Sequence, residues 1–324
     1  HPLQPFSRRN FALGSYAAEW RPAAAASRPF IEGPIAIPGE AVSEVAVDAL
    51  IRFFDNPSRH FLQSLGLYNA EHEEALEESE PFALDALGLY QLKSELLGGL
   101  LEGDDAETCR RRAAARGELP HGSFGKILFD EQAEGLRGFA EEVAERLQRR
   151  EARRDVTIEV AGVELRGRLE LVVDGGLCSY RPGKLKPRDQ LRLWIGHLAL
   201  CASGGGGRSM HLATDKQLLF EVLDSACAQS RLAALLSLYG EGAAAPLPFF
   251  PATSYAFAKK IADGKEADAL PAAGSAWEGS QFTPGERLDP WFEQAMRDRE
   301  PLDERFCEIA ALVYLPMLNA VVKG

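Results

Sequence analysis

The spacing of apolar residues changes period near residue 150 of the chain. Before that point apolar residues recur every three to four positions, which is typical of amphipathic helices. The spacing predicts helix over 43–100, with Ser43 as N-cap, a break at Asn56-Pro57, and a second helix opened by Pro81 and ended by Gly98-Gly99. Two further helices are predicted over 104–116 and 122–150.

After residue 150 the period becomes two, which is typical of half-buried strands. Val156, Ile158 and Val160 alternate with polar residues, and Ala161-Gly162 is a turn signal. The alternation resumes at Val163 and runs to Val173, and Asp174-Gly175-Gly176 is a strong hairpin signal before a strand over 177–181. These patterns predict a three-stranded meander.

The rest of the chain returns to helical spacing with two short strands. Helices are predicted over 187–201, 222–239, 253–263, 289–299 and 303–321, and strands over 208–213 and 217–220. His197 is expected at the polar margin of the first of these helices. The order of elements predicts an α/β fold with a mixed sheet flanked by helices, preceded by a helical region.

Composition divides the chain into three parts. Residues 1–40 hold six prolines and are predicted to form an extended arm, because proline interrupts helices. Residues 41–117 form the predicted helical subdomain and residues 118–324 the α/β domain. The acidic run 71–80 is interpreted as a solvated linker.

Charge and cysteine content limit the function classes. The net charge of −12 makes the whole chain a poor free-standing nucleic-acid binder, so any DNA contact needs a local basic patch. The five scattered cysteines form no CxxC pair, which argues against zinc or a disulfide framework. We find neither a signal peptide nor an apolar stretch that would span a bilayer, and we expect a cytoplasmic protein without membrane contact.

The meander resembles the core of PD-(D/E)XK nucleases, in which a helix, a meander and a helix carry two acids and a lysine. Active members read approximately G-R-I-D, a turn, D-Y-K-T-G and then Q-L. This chain reads Gly167-Arg168-Leu169-Glu170, the predicted turn, Ser179-Tyr180-Arg181-Pro182-Gly183 and Gln190-Leu191. The resemblance implies a nuclease-like core with a degenerate catalytic motif.

The degenerate positions are Glu170, Ser179 and Arg181. Glu170 stands at the first acid, but a neutral serine replaces the second acid and a permanently protonated arginine replaces the lysine. We therefore predict no catalytic residue and no metal site here. The alternative is an active metal-dependent nuclease that uses Glu170 with a displaced acid, Asp174 or Glu164. Ser179 has no histidine at a motif spacing, so no Ser-His-Asp site is predicted.

One basic cluster is a candidate for DNA binding. It comprises Arg166, Arg168, Arg181, Lys184, Lys186 and Arg188, on and after the predicted meander. Phosphate contact needs only such charges and no sequence code. The competing interpretation is a solvated basic loop, or one that pairs with the acidic surface.

Short segments along nearly the whole chain resemble the RecC family, the gamma chains of exodeoxyribonuclease V. They are 1–7, 50–54 with Pro57, Arg59, His60 and Phe61, 80–82 with Leu84-Asp85, 119–125, Trp194 with His197-Leu198, 201–205 and 245–248. RecC proteins are much longer, so the resemblance and the His-Pro start imply a C-terminal fragment of a longer protein.

The resemblance implies a role in the RecBCD helicase-nuclease, which processes double-strand breaks for recombination. It implies a non-catalytic domain that holds RecB-type and RecD-type subunits and helps to separate duplex DNA at an end or fork. No cofactor is expected in this domain, since magnesium and ATP would act in other subunits. A purely structural domain without DNA contact is a further alternative.

Overall fold

A computed structural model describes residues 31, 33–35, 43–67, 84–281 and 283–322. The extended arm predicted over 1–40 lies outside these residues, apart from 31 and 33–35, as do the acidic run 71–80 and Pro81. In the described part, no helix is both long and apolar enough to cross a membrane.

Eleven α-helices and seven strands make up the described part of the chain. The helices are α1 Val47–Asp55, α2 Pro57–Ser64, α3 Ala86–Glu102, α4 Ala106–Ala115, α5 Ser123–Leu147, α6 Pro187–Ala202, α7 Ser225–Ala244, α8 Pro251–Ala262, α9 Ala269–Glu278, α10 Pro290–Ala295 and α11 Glu304–Asn319. The strands are β1 Glu44–Ala46, β2 Arg154–Val160, β3 Val163–Leu169, β4 Val172–Val173, β5 Gly176–Arg181, β6 Ser209–Ala213 and β7 Gln217–Phe220.

The strands form two mixed sheets, so the α/β class predicted from the sequence is confirmed. The first sheet has the order β1-β3-β2, with β1 parallel and β2 antiparallel to β3. The second has the order β4-β5-β6-β7, in which β5 and β6 are parallel and α6 connects them.

The single meander predicted over 156–181 is wrong in one respect, because it divides between the two sheets. β3 is bounded on one side by β2 and on the other by β1. Neither edge of β3 is therefore free, and β4 and β5 form a separate hairpin that continues into the second sheet.

Helix α6 is the centre of the main core. Trp194, Ile195 and Leu198 are almost completely buried, together with Phe53 of α1 and Phe220 of β7. Helices α1, α7 and α8 pack against α6. Each fully buried side chain of this size contributes about 1.5–3 kcal/mol to the free energy of folding. This packing therefore fixes the position of α6 and of β5, the strand that it contacts.

His197 lies inside this core and not at a polar margin, so that prediction is wrong. Its side chain is 0% exposed and its pKa is lowered by burial. Its Nδ1 is 2.8 Å from the Ser209 hydroxyl and its Nε2 is 2.9 Å from the Glu221 carbonyl oxygen. Both ring nitrogens are thus satisfied, which explains how a histidine is accommodated there.

Several boundaries differ from the sequence predictions. Ser43 is not an N-cap, since its carbonyl accepts the Glu164 N–H at 2.8 Å and the chain continues into β1. Helix α3 runs through Gly98-Gly99 to Gly103, whose φ of 95° ends it. A Cβ at Gly99 would lie 2.6 Å from Cys109 Sγ, so this glycine serves the close packing of α3 on α4.

Towards the C-terminus, α10 ends at Ala295, short of the 289–299 predicted, and α9 was not predicted.

Candidate nucleic-acid interface

Strand β5 positions the two substituted residues of the nuclease-like motif. Asp174 and Gly175 form a two-residue turn with φ of 50° and 74°, which sets β5 antiparallel to β4. The hairpin predicted at this point is confirmed. Ser179 and Arg181 are two residues apart on β5, so their side chains lie on the same face of the sheet.

Ser179 is paired with a histidine of the neighbouring strand. Ser179 and His211 are direct partners in the parallel β5–β6 register, and the serine Oγ is 2.8 Å from His211 Nδ1. His211 is 3% exposed, and burial lowers its pKa. In the described part of the chain its Nε2 is buried without a hydrogen-bond partner. The histidine is therefore neutral near pH 7.

Arg181 is turned inwards and held by an acid. Its Nη1 is 2.6 Å from Asp189 Oδ2, and the two side chains are only 11% and 18% exposed. The guanidinium also lies over the ring of Tyr90, 4.8 Å from its centroid. Asp189 accepts the backbone N–H of Lys186 at 3.2 Å, so the ion pair joins β5 to the first turn of α6.

Glu170 borders a cavity of about 340 Å³, which is also lined by Ser179, Asp189 and His211. Glu170 is exposed, and its carboxylate is 2.7 Å from Arg153 Nε. Among the described residues, no group of three or more His, Cys, Asp or Glu is placed to hold a metal ion. Three acids line the cavity: Glu170 and Asp189 are paired with arginines, and Asp48 of α1 is exposed, so the cavity does not offer the cluster of free carboxylates that a magnesium site needs.

Arg166 and Arg168 of β3 are each neutralised by carboxylates. Arg168 Nε is 2.8 Å from Asp155 Oδ1, its direct cross-strand partner. Arg166 pairs with Glu164 and lies 3.4 Å from Glu44 of β1. These two guanidiniums are exposed but surrounded by acids.

Lys184, Lys186 and Arg188 have different surroundings. Both lysines are exposed, and among the described residues none of the three forms an ion pair. The loop that carries the two lysines is held in place, since Leu185 N–H donates to Asp215 at 2.8 Å and Thr214 N–H donates to the Gly183 carbonyl at 3.1 Å, and Arg188 lies in the first turn of α6. The predicted basic cluster therefore separates into a neutralised hairpin, a sheltered ion pair and an open loop.

Sequence reasoning missed the partners of these basic residues. The two-residue turn at Ala161-Gly162 fixes the β2–β3 register, and that register alone places Asp155 opposite Arg168. This signal was available in the sequence. The pairing of Ser179 with His211 had no such signal, because parallel strands are joined through α6 and their register depends on how that helix packs.

The fold and the site together define a mixed α/β domain whose second sheet carries a Ser–His pair and a sheltered Arg–Asp pair beside an open basic loop. Residues 42–262 match the family described as RecC C-terminal domain, and the chain belongs to this family.

Similar proteins cover nearly all of the chain. It is 33% identical to RecBCD enzyme subunit RecC of Escherichia coli (strain K12) over 320 residues, which span 93% of this chain and 28% of that protein. It is 28% identical to the subunit of the same name from Mycobacterium tuberculosis (strain H37Rv), over 99% of this chain and 32% of that protein. The chain thus spans about a third or less of the length of these relatives.

Proposed function

We propose that this chain is a non-catalytic domain of a RecBCD-type subunit, which holds the partner subunits and guides DNA during double-strand break repair by recombination. The relatives that support this are RecBCD enzyme subunits. RecB-type and RecD-type chains are the proposed partners, and a duplex end or fork is the proposed DNA. Such a subunit would act in the cytoplasm, with magnesium and ATP used by other subunits.

The main support for a domain without nuclease activity is the Arg181–Asp189 ion pair. A PD-(D/E)XK lysine must approach the scissile phosphate and the attacking water. Arg181 is permanently protonated, largely buried and committed to Asp189 and Tyr90. Ser179, where the second acid would stand, is bonded to neutral His211. The residues at these two positions therefore stabilise the domain and do not serve hydrolysis.

The DNA-guiding part is supported by the open loop. Lys184 and Lys186 present positive charge without ion-pair partners in the described part of the chain, whereas Arg188, in the first turn of α6, interacts electrostatically with the buried Glu286 carboxylate. Contacts of this kind hold the phosphate backbone and carry no sequence information. Arg166, Arg168 and Arg181, the other members of the predicted cluster, would contribute less because their charge is already balanced.

The experiment uses the full-length subunit assembled with tagged RecB-type and RecD-type chains. Glu170→Ala is compared with Glu159→Ala, a control that removes an exposed carboxylate of the β2–β3 hairpin. We expect both variants to co-purify with the partner chains and to leave magnesium-dependent DNA cleavage within twofold of the parent. A loss of cleavage of more than tenfold in Glu170→Ala alone, with the complex intact, would establish the alternative of an active nuclease.

A further inference from the structure

A second positively charged site lies beside the N-terminal part of α6. Four arginines line a cleft of about 490 Å³, and we call it the arginine cleft: Arg52 of α1, Arg59 of α2, and Arg188 and Arg192 of α6. Asn56, Gln63 and Trp291 complete much of its wall. The cleft therefore gathers cations from three helices into one concave surface.

The acids of the arginine cleft do not cancel its charge. Asp55 is bound by Arg192, with Oδ2 2.6 Å from Nη2 and Oδ1 2.9 Å from Nε. Asp289 accepts the backbone N–H groups of Trp291 and Phe292 at 2.9 Å and 3.3 Å, and the Asn56 side-chain amide at 3.1 Å. Asp289 keeps its negative charge because its partners are neutral donors, but four arginines against two aspartates leave the cleft with a net charge of +2.

The remaining three arginines of the cleft have no such partner. Among the described residues, Arg52, Arg59 and Arg188 form no direct ion pair, although Arg188 interacts electrostatically with the buried Glu286 carboxylate. Arg52 and Arg59 are exposed and Arg188 is half-buried. The guanidinium of Arg59 lies over the Trp291 ring, 5.8 Å from its centroid, which orients it without using its N–H donors.

Helix ends add to this positive potential. Asn56 caps α2 through a 2.8 Å hydrogen bond from the Arg59 N–H, and Arg188 lies in the first turn of α6. Both helices thus direct their partially positive ends to this region. Planar guanidinium forks match two oxygens of a phosphate at once, and side-chain amides add neutral donors.

A half-buried Trp291 beside the arginines favours a nucleic-acid strand over an acidic peptide, since a base can stack on an aromatic ring while its phosphates meet the cations. Arg192 also borders the cavity at Ser179, so the two concave surfaces meet along α6. A strand in the cleft would therefore run beside the nuclease-like sheet.

We infer that the arginine cleft binds backbone phosphates of one DNA strand, through Arg52, Arg59 and Arg188. This inference rests on the DNA-guiding part of the proposed function but adds a site on α1 and α2. Arg188 lines the cleft from the first turn of α6, directly after the loop that carries Lys184 and Lys186, and Arg192, held by Asp55, forms part of the wall.

The test is the double variant Arg52→Gln, Arg59→Gln in the full-length subunit assembled with its partners. Affinity for a forked duplex with a single-stranded tail is measured across a salt series. Each lost single-strand phosphate contact lowers the slope of log K against log salt by about 0.7, so the slope should fall by about 1.4 and the affinity at low salt roughly tenfold. The matched control is Arg111→Gln, Arg137→Gln, which removes two exposed arginines of α4 and α5.

The second part of the test uses a forked duplex whose single-stranded tail has uncharged methylphosphonate linkages. Parent and cleft variant should bind it equally if phosphates are the ligand. An unchanged slope with an intact complex would overturn the inference, and so would a variant that loses its partner chains, because the cleft would then be a subunit interface. If Lys184→Gln, Lys186→Gln changes the slope and the cleft variant does not, only this inference fails. If neither variant changes it, DNA guidance by the domain fails as a whole.

Discussion

The β2–β3 hairpin and the arginine cleft both present exposed arginines, but only the arginines of the hairpin are paired with carboxylates. On the hairpin Arg168 faces Asp155 and Arg166 faces Glu164, so each positive charge is balanced across or along the strand. In the cleft, Arg52 and Arg59 have no carboxylate partner among the described residues. The comparison teaches that a run of basic residues in the sequence does not by itself predict a positive surface.

The largest expected effect concerns Arg181, the arginine of the predicted cluster with the most buried partner. Arg181→Ala would leave the Asp189 carboxylate, 18% exposed, without its cation. Breaking a sheltered pair from one side is strongly destabilising, and we expect a loss of about 2–3 kcal/mol in the opening free energy of β5 and α6. Native-state hydrogen exchange of these amides measures it as roughly 30- to 160-fold faster exchange.

Two further variants sharpen that measurement. Arg168→Ala breaks an exposed ion pair and should change local stability by less than about 1 kcal/mol. Arg181→Ala combined with Asp189→Asn removes the uncompensated charge and should recover part of the loss. Equal effects of Arg181→Ala and Arg168→Ala would contradict the distinction between a sheltered and an exposed pair.

A smaller effect is expected from pH, through the histidine beside Arg181. Burial lowers the pKa of His211 below its usual 6.5, so the unfolded chain binds more protons than the folded one. The neutral form stabilises the fold fully above about pH 6.5, and this contribution is lost as the pH falls below that value. We expect less protection of β6 amides at pH 5.5 than at pH 7, after correction for intrinsic exchange rates.

His211→Asn is the matched variant for this prediction, because it keeps a polar group near Ser179 but cannot titrate. Its pH dependence over the same range should be smaller than that of the parent. A variant with the full pH dependence of the parent would show that the effect comes from other groups, such as the buried His197.

Local signals predicted much of the fold. The helical spacing predicted the bounds of α5 and α6 to within a few residues, and Asp174-Gly175 predicted the β4–β5 hairpin. Both signals are local, because turns and amphipathic faces depend on neighbouring residues. The short β1 strand was missed, since its pairing with β3 joins segments more than a hundred residues apart. The division into two sheets follows from that pairing.

The candidate site was only partly predictable for the same reason. The substitutions at Ser179 and Arg181 are visible in the sequence, but the partners that decide their chemistry, His211 and Asp189, are placed by the packing of α6. The arginine cleft combines Arg52 with Arg188 and Trp291, which only tertiary structure brings together.

The most direct test compares Lys184→Gln, Lys186→Gln with Arg166→Gln, Arg168→Gln in the assembled full-length subunit bound to duplex DNA. Both variants remove two positive charges, but only the loop lysines lack carboxylate partners among the described residues. We expect the salt slope to fall by about 1.8 for the loop variant and by less than about 0.5 for the hairpin variant. Equal changes, or a larger change for the hairpin, would contradict this expectation.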